Sequence, residues 1–113
     1  MSEGILVAQT NDIAEGEAIK IDAAVAGTVD DIAIFNDDGQ FYALDDTCSH
    51  EKASLSEGYI EDGVVECPLH AAKFCLKDGA VQSMPATEDV GCHRLIVDGS
   101  SIRLIPNPAR LAS

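Results

Sequence analysis

Four Asp-Gly pairs, Asp38-Gly39, Asp62-Gly63, Asp78-Gly79 and Asp98-Gly99, punctuate this chain of 113 residues. Both residue types tolerate a left-handed backbone, so the pair is the strongest short-range hairpin signal when apolar, aromatic or β-branched runs flank it. All four are so flanked. The spacing predicts residues 31–36 paired with 40–44, 58–61 with 64–67, 73–76 with 80–82, and 92–97 with 101–105. Residues 4–8 and 17–22 read as two further strands. No segment sustains a helical period, and residues 51–57 have room for one helical turn at most. The expected fold class is all-β: a small antiparallel β-barrel or sandwich of about ten short strands. Its length suits one domain over residues 1–113 with one modest core. Leu95-Ile96-Val97 is too uniformly apolar for simple alternation and is expected in the interior. The segment Pro106-Asn107-Pro108-Ala109-Arg110 is expected to be irregular, because its two prolines block continued pairing.

Two short strings carry the chemistry. Cys48-Ser49-His50 reads C-x-H, and after a gap of sixteen residues Cys67-Pro68-Leu69-His70 reads C-x-x-H. The hairpin pattern places both in loops, the first after the strand ending near Leu44 and the second between the strands over 64–67 and 73–76. Ligands two or three apart in a tight loop cannot comfortably bind one metal at ideal angles. They can bind two irons joined by bridging sulfides. Cys48 and Cys67 are therefore assigned to one iron, and His50 and His70 to the other, which is a Rieske-type [2Fe–2S] ligand set. Pro68 fixes φ ahead of His70 and stiffens its approach. A zinc-stabilised interaction module is the alternative, but zinc sites usually pair Cys with Cys and His with His, whereas each string here mixes them. The four cysteines could also form two disulfides. Met1-Ser2-Glu3-Gly4 shows no secretory signal, so that reading is weak and a cytoplasmic protein is expected.

The two strings, with Ala71-Ala72-Lys73-Phe74 after the second, resemble the Rieske ferredoxin family, the small electron carriers of bacterial aromatic-ring dioxygenases. The resemblance runs from Gly4 to about Ile105. It implies one [2Fe–2S] cluster with its histidine-bound iron nearer the surface, covered by a proline-bearing segment matched by Met84-Pro85-Ala86. It also implies two partners, an NAD(P)H-dependent flavin reductase that supplies electrons and a terminal oxygenase that receives them. Another reading within reach is the small electron-transfer subunit of a different reductase, such as assimilatory nitrite reductase.

The chain departs from the high-potential membrane branch of Rieske proteins. That branch carries a loop disulfide, and serine and tyrosine hydroxyls that donate to its cluster. Here Lys52 or its neighbour and Leu69 replace the extra cysteines, and Ala72 and Phe74 stand at the hydroxyl positions. The expected potential is accordingly near the low end of the Rieske range, about −150 mV.

Composition narrows the function further. There are 7 Lys+Arg against 20 Asp+Glu, a net charge of −13, which repels nucleic acid and anionic lipid and favours basic protein partners. No apolar run is long enough for a membrane span. With His50 and His70 committed, only His93 remains, so a mononuclear iron site of two histidines and a carboxylate cannot be built. No G-x-G-x-x-G occurs. The reading is an electron carrier, monomeric and without catalysis of its own. Cys75 and Cys92 are expected to be buried inert thiols, and His93 a strand-surface residue. Asp45, Asp46 and Glu51 flank the first ligand loop and are the candidate acidic docking residues.

Overall fold

The computed structural model describes residues 4–47, 53–68, 72–82 and 89–112. Among them are nine strands: β1 (Ile5–Gln9), β2 (Ala18–Ile21), β3 (Ile32–Asp37), β4 (Gln40–Asp45), β5 (Tyr59–Glu61), β6 (Val64–Glu66), β7 (Lys73–Cys75), β8 (Cys92–Asp98) and β9 (Ser101–Ile105). They form a six-stranded sheet in the order β1-β9-β8-β4-β3-β2 and a three-stranded sheet in the order β5-β6-β7. Every pairing is antiparallel. This is the all-β, barrel-like architecture expected from the hairpin signals.

Two of the predicted turns form as read. Asp37 pairs with Gln40 and Glu61 with Val64, leaving two-residue loops. Asp38 (φ 54°) with Gly39 (φ 87°), and Asp62 (φ 51°) with Gly63 (φ 78°), hold both central positions at positive φ, the type I′ requirement. The fourth hairpin is shifted by one residue. β8 runs on to Asp98, which pairs with Ser101, so the loop is Gly99-Ser100. The third is looser: residues 80–82 form no strand, and one bridge, Phe74↔Val81, stands for the predicted pairing.

β3 explains why the molecule has two cores. Side chains alternate along a strand, and β3 is buried on both faces. Ile32 and Ile34 join one cluster with Ala8, Ile13, Ala26, Ala43, Ile102 and Leu104. Ala33 and Phe35 join the other with Leu44, Leu55, Val65, Phe74 and Leu76. The register enforces the division, since Ala33 sits opposite Leu44 and Ile34 opposite Ala43. The second cluster fills the space between the large and small sheets.

Two expectations are corrected. Leu95-Ile96-Val97 is not interior: Leu95 packs on the first core, but Val97 is 47% exposed, and β8 pairs with β4 only at Cys92 and His93, so its far end has β9 alone beside it. One helical turn, α1 (Ala23–Ala26), lies where none was predicted. Four residues are too few to show a period. Tertiary contact defines the turn, with the Ala23 N–H donating to Asp31 Oδ1 at 2.8 Å and Gly27 closing it at φ 72°. β9 ends at Ile105, before the two prolines, and the segment after it is anchored by a 3₁₀ turn (Pro108–Arg110) and a bridge between Leu111 and Thr28.

Candidate functional site

The two ligand strings leave the fold at tied stems. β4 ends at Asp45, and the next residues fasten the start of the first loop to its end. Thr47 bridges Ser54. Asp46 accepts from Ser54 Oγ at 2.7 Å and from the Ser56 N–H at 3.0 Å, while its carbonyl accepts from the Leu55 N–H at 2.7 Å. Asp30 holds Thr47 from outside, accepting from its N–H at 2.9 Å and its hydroxyl at 2.8 Å. The second loop closes as an extension of the β6–β7 ladder, with the Cys67 N–H donating to the Ala72 carbonyl at 2.7 Å.

Both stems meet in one buried cluster. Ala53 and Leu55, just past the first loop, pack with Cys67 and Ala72 at the base of the second. Contact extends to the backbone. A Cβ on Gly58 would lie 2.2 Å from the Glu66 carbonyl oxygen, so the chain leaving the first loop presses directly on the strand entering the second. A third segment starts from the same place. Val90 belongs to the cluster and Val81 packs against it, and the Val81 N–H donates to Asp89 Oδ1 at 2.8 Å across the base of residues 83–88.

Of the four proposed ligands, Cys67 is placed. It is a free cysteine, 1% exposed, immediately before an exposed Pro68. Cys48, His50 and His70 lie outside the described residues, as do Glu51, Lys52, Leu69, Ala71 and the Met84-Pro85-Ala86 segment. The donor set fits a [2Fe–2S] group. By residue type the two strings offer two thiolates and two imidazoles, their loop stems share one apolar base, and the Ala72 side chain there is only a methyl. Among the described residues, no cluster of three or more His, Cys, Asp or Glu side chains forms another metal site.

Asp45 and Asp46 are not solvated docking residues. They are 3% and 4% exposed; Asp46 ties the first loop's stem through Ser54 and Ser56, and Asp45 turns inward to His93 and Arg110. His93 is likewise buried rather than on the strand surface. Its Nδ1 accepts the Asn107 N–H at 2.9 Å, which leaves the proton on Nε2 to be donated to Asp45 Oδ1 at 2.7 Å. Arg110 Nε donates to Asp45 Oδ2 at 2.7 Å. Burial pushes the Asp45 pKa up, but the hydrogen bonds from His93 and Arg110 and the guanidinium charge outweigh it and hold the carboxyl below its ordinary value. Sequence reasoning missed this network because its members are dispersed along the chain. The only available signal was Asp45 next to a ligand string. Cys75 and Cys92 are half-buried rather than buried. Burial, then the charges of Asp78 and Cys75, push the Cys92 thiol up, which keeps it protonated.

The fold is a small β domain in which the stems of the two loops share one buried base, and the Rieske [2Fe–2S] domain family matches residues 3–94. This chain belongs to that family. It is similar to the 3-phenylpropionate/cinnamic acid dioxygenase ferredoxin subunit of Shigella boydii, at 51% identity over 92 residues, or 80% of this chain and 82% of the relative. Its fold is similar to the ferredoxin of carbazole 1,9a-dioxygenase from Nocardioides aromaticivorans IC177, with a TM-score of 0.84 and 30% identity, covering 94% of this chain and all of that one. It also resembles the ferredoxin in a complex of reduced oxygenase and oxidised ferredoxin in carbazole 1,9a-dioxygenase, with a TM-score of 0.80 and 31% identity, over 89% of this chain and 100% of that one.

Proposed function

We propose that this chain is the one-electron carrier of a ring-hydroxylating dioxygenase system. It takes electrons from an NAD(P)H-dependent flavin reductase and delivers them to the terminal oxygenase. Cys48 and Cys67 would hold one iron and His50 and His70 the other, with residues 1–113 acting as one Rieske domain, monomeric and cytoplasmic. When bound, a Rieske cluster supplies a one-electron centre at a potential of about −150 to +300 mV, set within that range by charge, hydrogen bonding and exposure.

The residues of the chain do the rest. The buried Cys67 stem excludes water from the thiolate side, and the tied bases of both loops limit movement between oxidation states. Exposed Pro68 begins the surface that a partner would meet. The net charge of −13 steers the carrier toward basic partner surfaces and away from nucleic acid. Among the described residues, no helix is long and apolar enough to cross a membrane.

The carrying observation is the convergence of both ligand-loop stems on one buried cluster that contains Cys67. The 51% identity to a dioxygenase ferredoxin subunit favours this reading over a permanent subunit of nitrite reductase. EPR of the dithionite-reduced protein tests it. A mixed-ligand [2Fe–2S] signal from a brown protein is expected. A colourless protein holding zinc, or an all-cysteine signal, overturns the assignment. Gel filtration distinguishes a freely diffusing monomer from a fixed subunit.

A further inference from the structure

After β9 the chain turns back across the end of the fold that carries the first loop. Asn107 is fixed to β8, its N–H to His93 Nδ1 and its Nδ2 donating to the Cys92 carbonyl at 3.1 Å. Arg110 and Ala112 are stitched to residues 27–29, with the Val29 N–H donating to the Arg110 carbonyl and the Ala112 N–H to the Gly27 carbonyl, both at 2.9 Å. Between these ties the Arg110 side chain reaches inward to Asp45. The Asp45 side chain is 4% exposed while that of Arg110 is 39% exposed, so the guanidinium caps the buried carboxylate from the solvent side. Packing here leaves no slack. A Cβ on Gly91 would lie 2.6 Å from Asp45 Oδ2 and 3.0 Å from Arg110 Nε.

Asp45 is the last residue of β4 and three positions before Cys48, at most roughly 11 Å of extended chain. It is followed directly by Asp46 and Thr47, which close the loop stem. We infer that Arg110 is a positioning residue for the first ligand loop: through Asp45 it fixes the strand end from which the loop departs, and it cancels a buried negative charge close to the metal centre. The inference rests on the proposed role of Cys48. A buried carboxylate stripped of its cationic partner keeps its charge only at high cost. Loss of Arg110 therefore loosens the stem and leaves net negative charge beside the site. A charge this close, in a partly desolvated setting, opposes addition of an electron.

The test uses the full chain with its cluster, as wild type, Arg110→Gln, Arg110→Lys and the double variant Asp45→Asn/Arg110→Gln. Three quantities are read: midpoint potential by film voltammetry, the rate of iron release to a ferrous chelator at 25 °C, and thermal melting. Release proceeds through local opening, so weakening the stem accelerates it, about tenfold for each 1.4 kcal/mol lost. Arg110→Gln is expected to lower the potential and release iron about tenfold faster. Arg110→Lys is expected to restore the potential, and the double variant to return it to the wild-type value while still releasing iron quickly. A lower melting temperature with unchanged potential and unchanged release overturns the inference, because Arg110 would then serve the fold alone. If Arg110→Gln does not fold, the double variant decides: fast release supports the inference, and release as slow as wild type overturns it. A wild type without a mixed-ligand cluster would instead refute the functional reading itself.

Discussion

Replacing Gly58 with alanine tests whether the two loop stems touch as described. Gly58 sits at φ −82° and ψ −173°, an extended conformation open to any L residue, so alanine carries no backbone strain. The obstacle is contact. The new Cβ would stand 2.2 Å from the Glu66 carbonyl oxygen and 3.1 Å from that of Leu55. Relief requires the chain leaving the first loop and the strand entering the second to separate by about 1 Å. Both colliding atoms are backbone, so no side-chain rotation helps. Overpacking of this kind costs about 1–3 kcal/mol, and rigid neighbours place the cost near 3. For a domain of this size that corresponds to a fall in melting temperature of roughly 10 °C. The displacement also falls between Leu55 and Cys67, so iron content should drop along with stability. Gly39→Ala is the control. At φ 87° with open space around it, that change brings only left-handed strain of about 1 kcal/mol, far from the loops. Melting followed by circular dichroism, with iron and sulfide assayed per chain, gives the result. Gly58→Ala melting within 2 °C of wild type with a full complement of iron would refute direct contact between the stems.

Three further outcomes follow from the same residues. His50→Cys or His70→Cys should lower the potential or abolish the cluster, by adding a thiolate charge where an imidazole is assigned; native voltammetry in either variant refutes the ligand set. The wild-type potential should lie near −150 mV, and a value well above zero would refute the argument from Ala72 and Phe74. The depressed Asp45 pKa makes its stabilising contribution complete above about pH 4, the unfolded value, and lost as pH falls through the lower folded one. Asp45→Asn should therefore melt lower at pH 7 and show a shallower acid limb, and superimposable acid limbs would refute that role.

Much of the architecture could be read from residues close together in the chain. Asp38-Gly39 and Asp62-Gly63 specify type I′ turns by their own backbone preferences, and such turns set the register of β3 with β4 and of β5 with β6 whatever surrounds them. The C-x-H and C-x-x-H strings name a mixed ligand set through local chemistry in the same way. Other features depended on which segments meet. Beyond His93 β8 has no pairing with β4, so Leu95-Ile96-Val97 is not a core run, although its composition suggests one. His93 looked like an ordinary strand residue because Asp45, 48 positions away, and the Asn107 N–H reach it only in the folded chain. Asp45 and Asp46 looked like solvated acids because sequence does not show Arg110, Ser54 or the Ser56 N–H arriving to satisfy them. Turn type and ligand chemistry belong to a few adjacent residues. Burial and the pairing of charges are sums over neighbours distant in sequence, and those neighbours exist only once the sheets have packed.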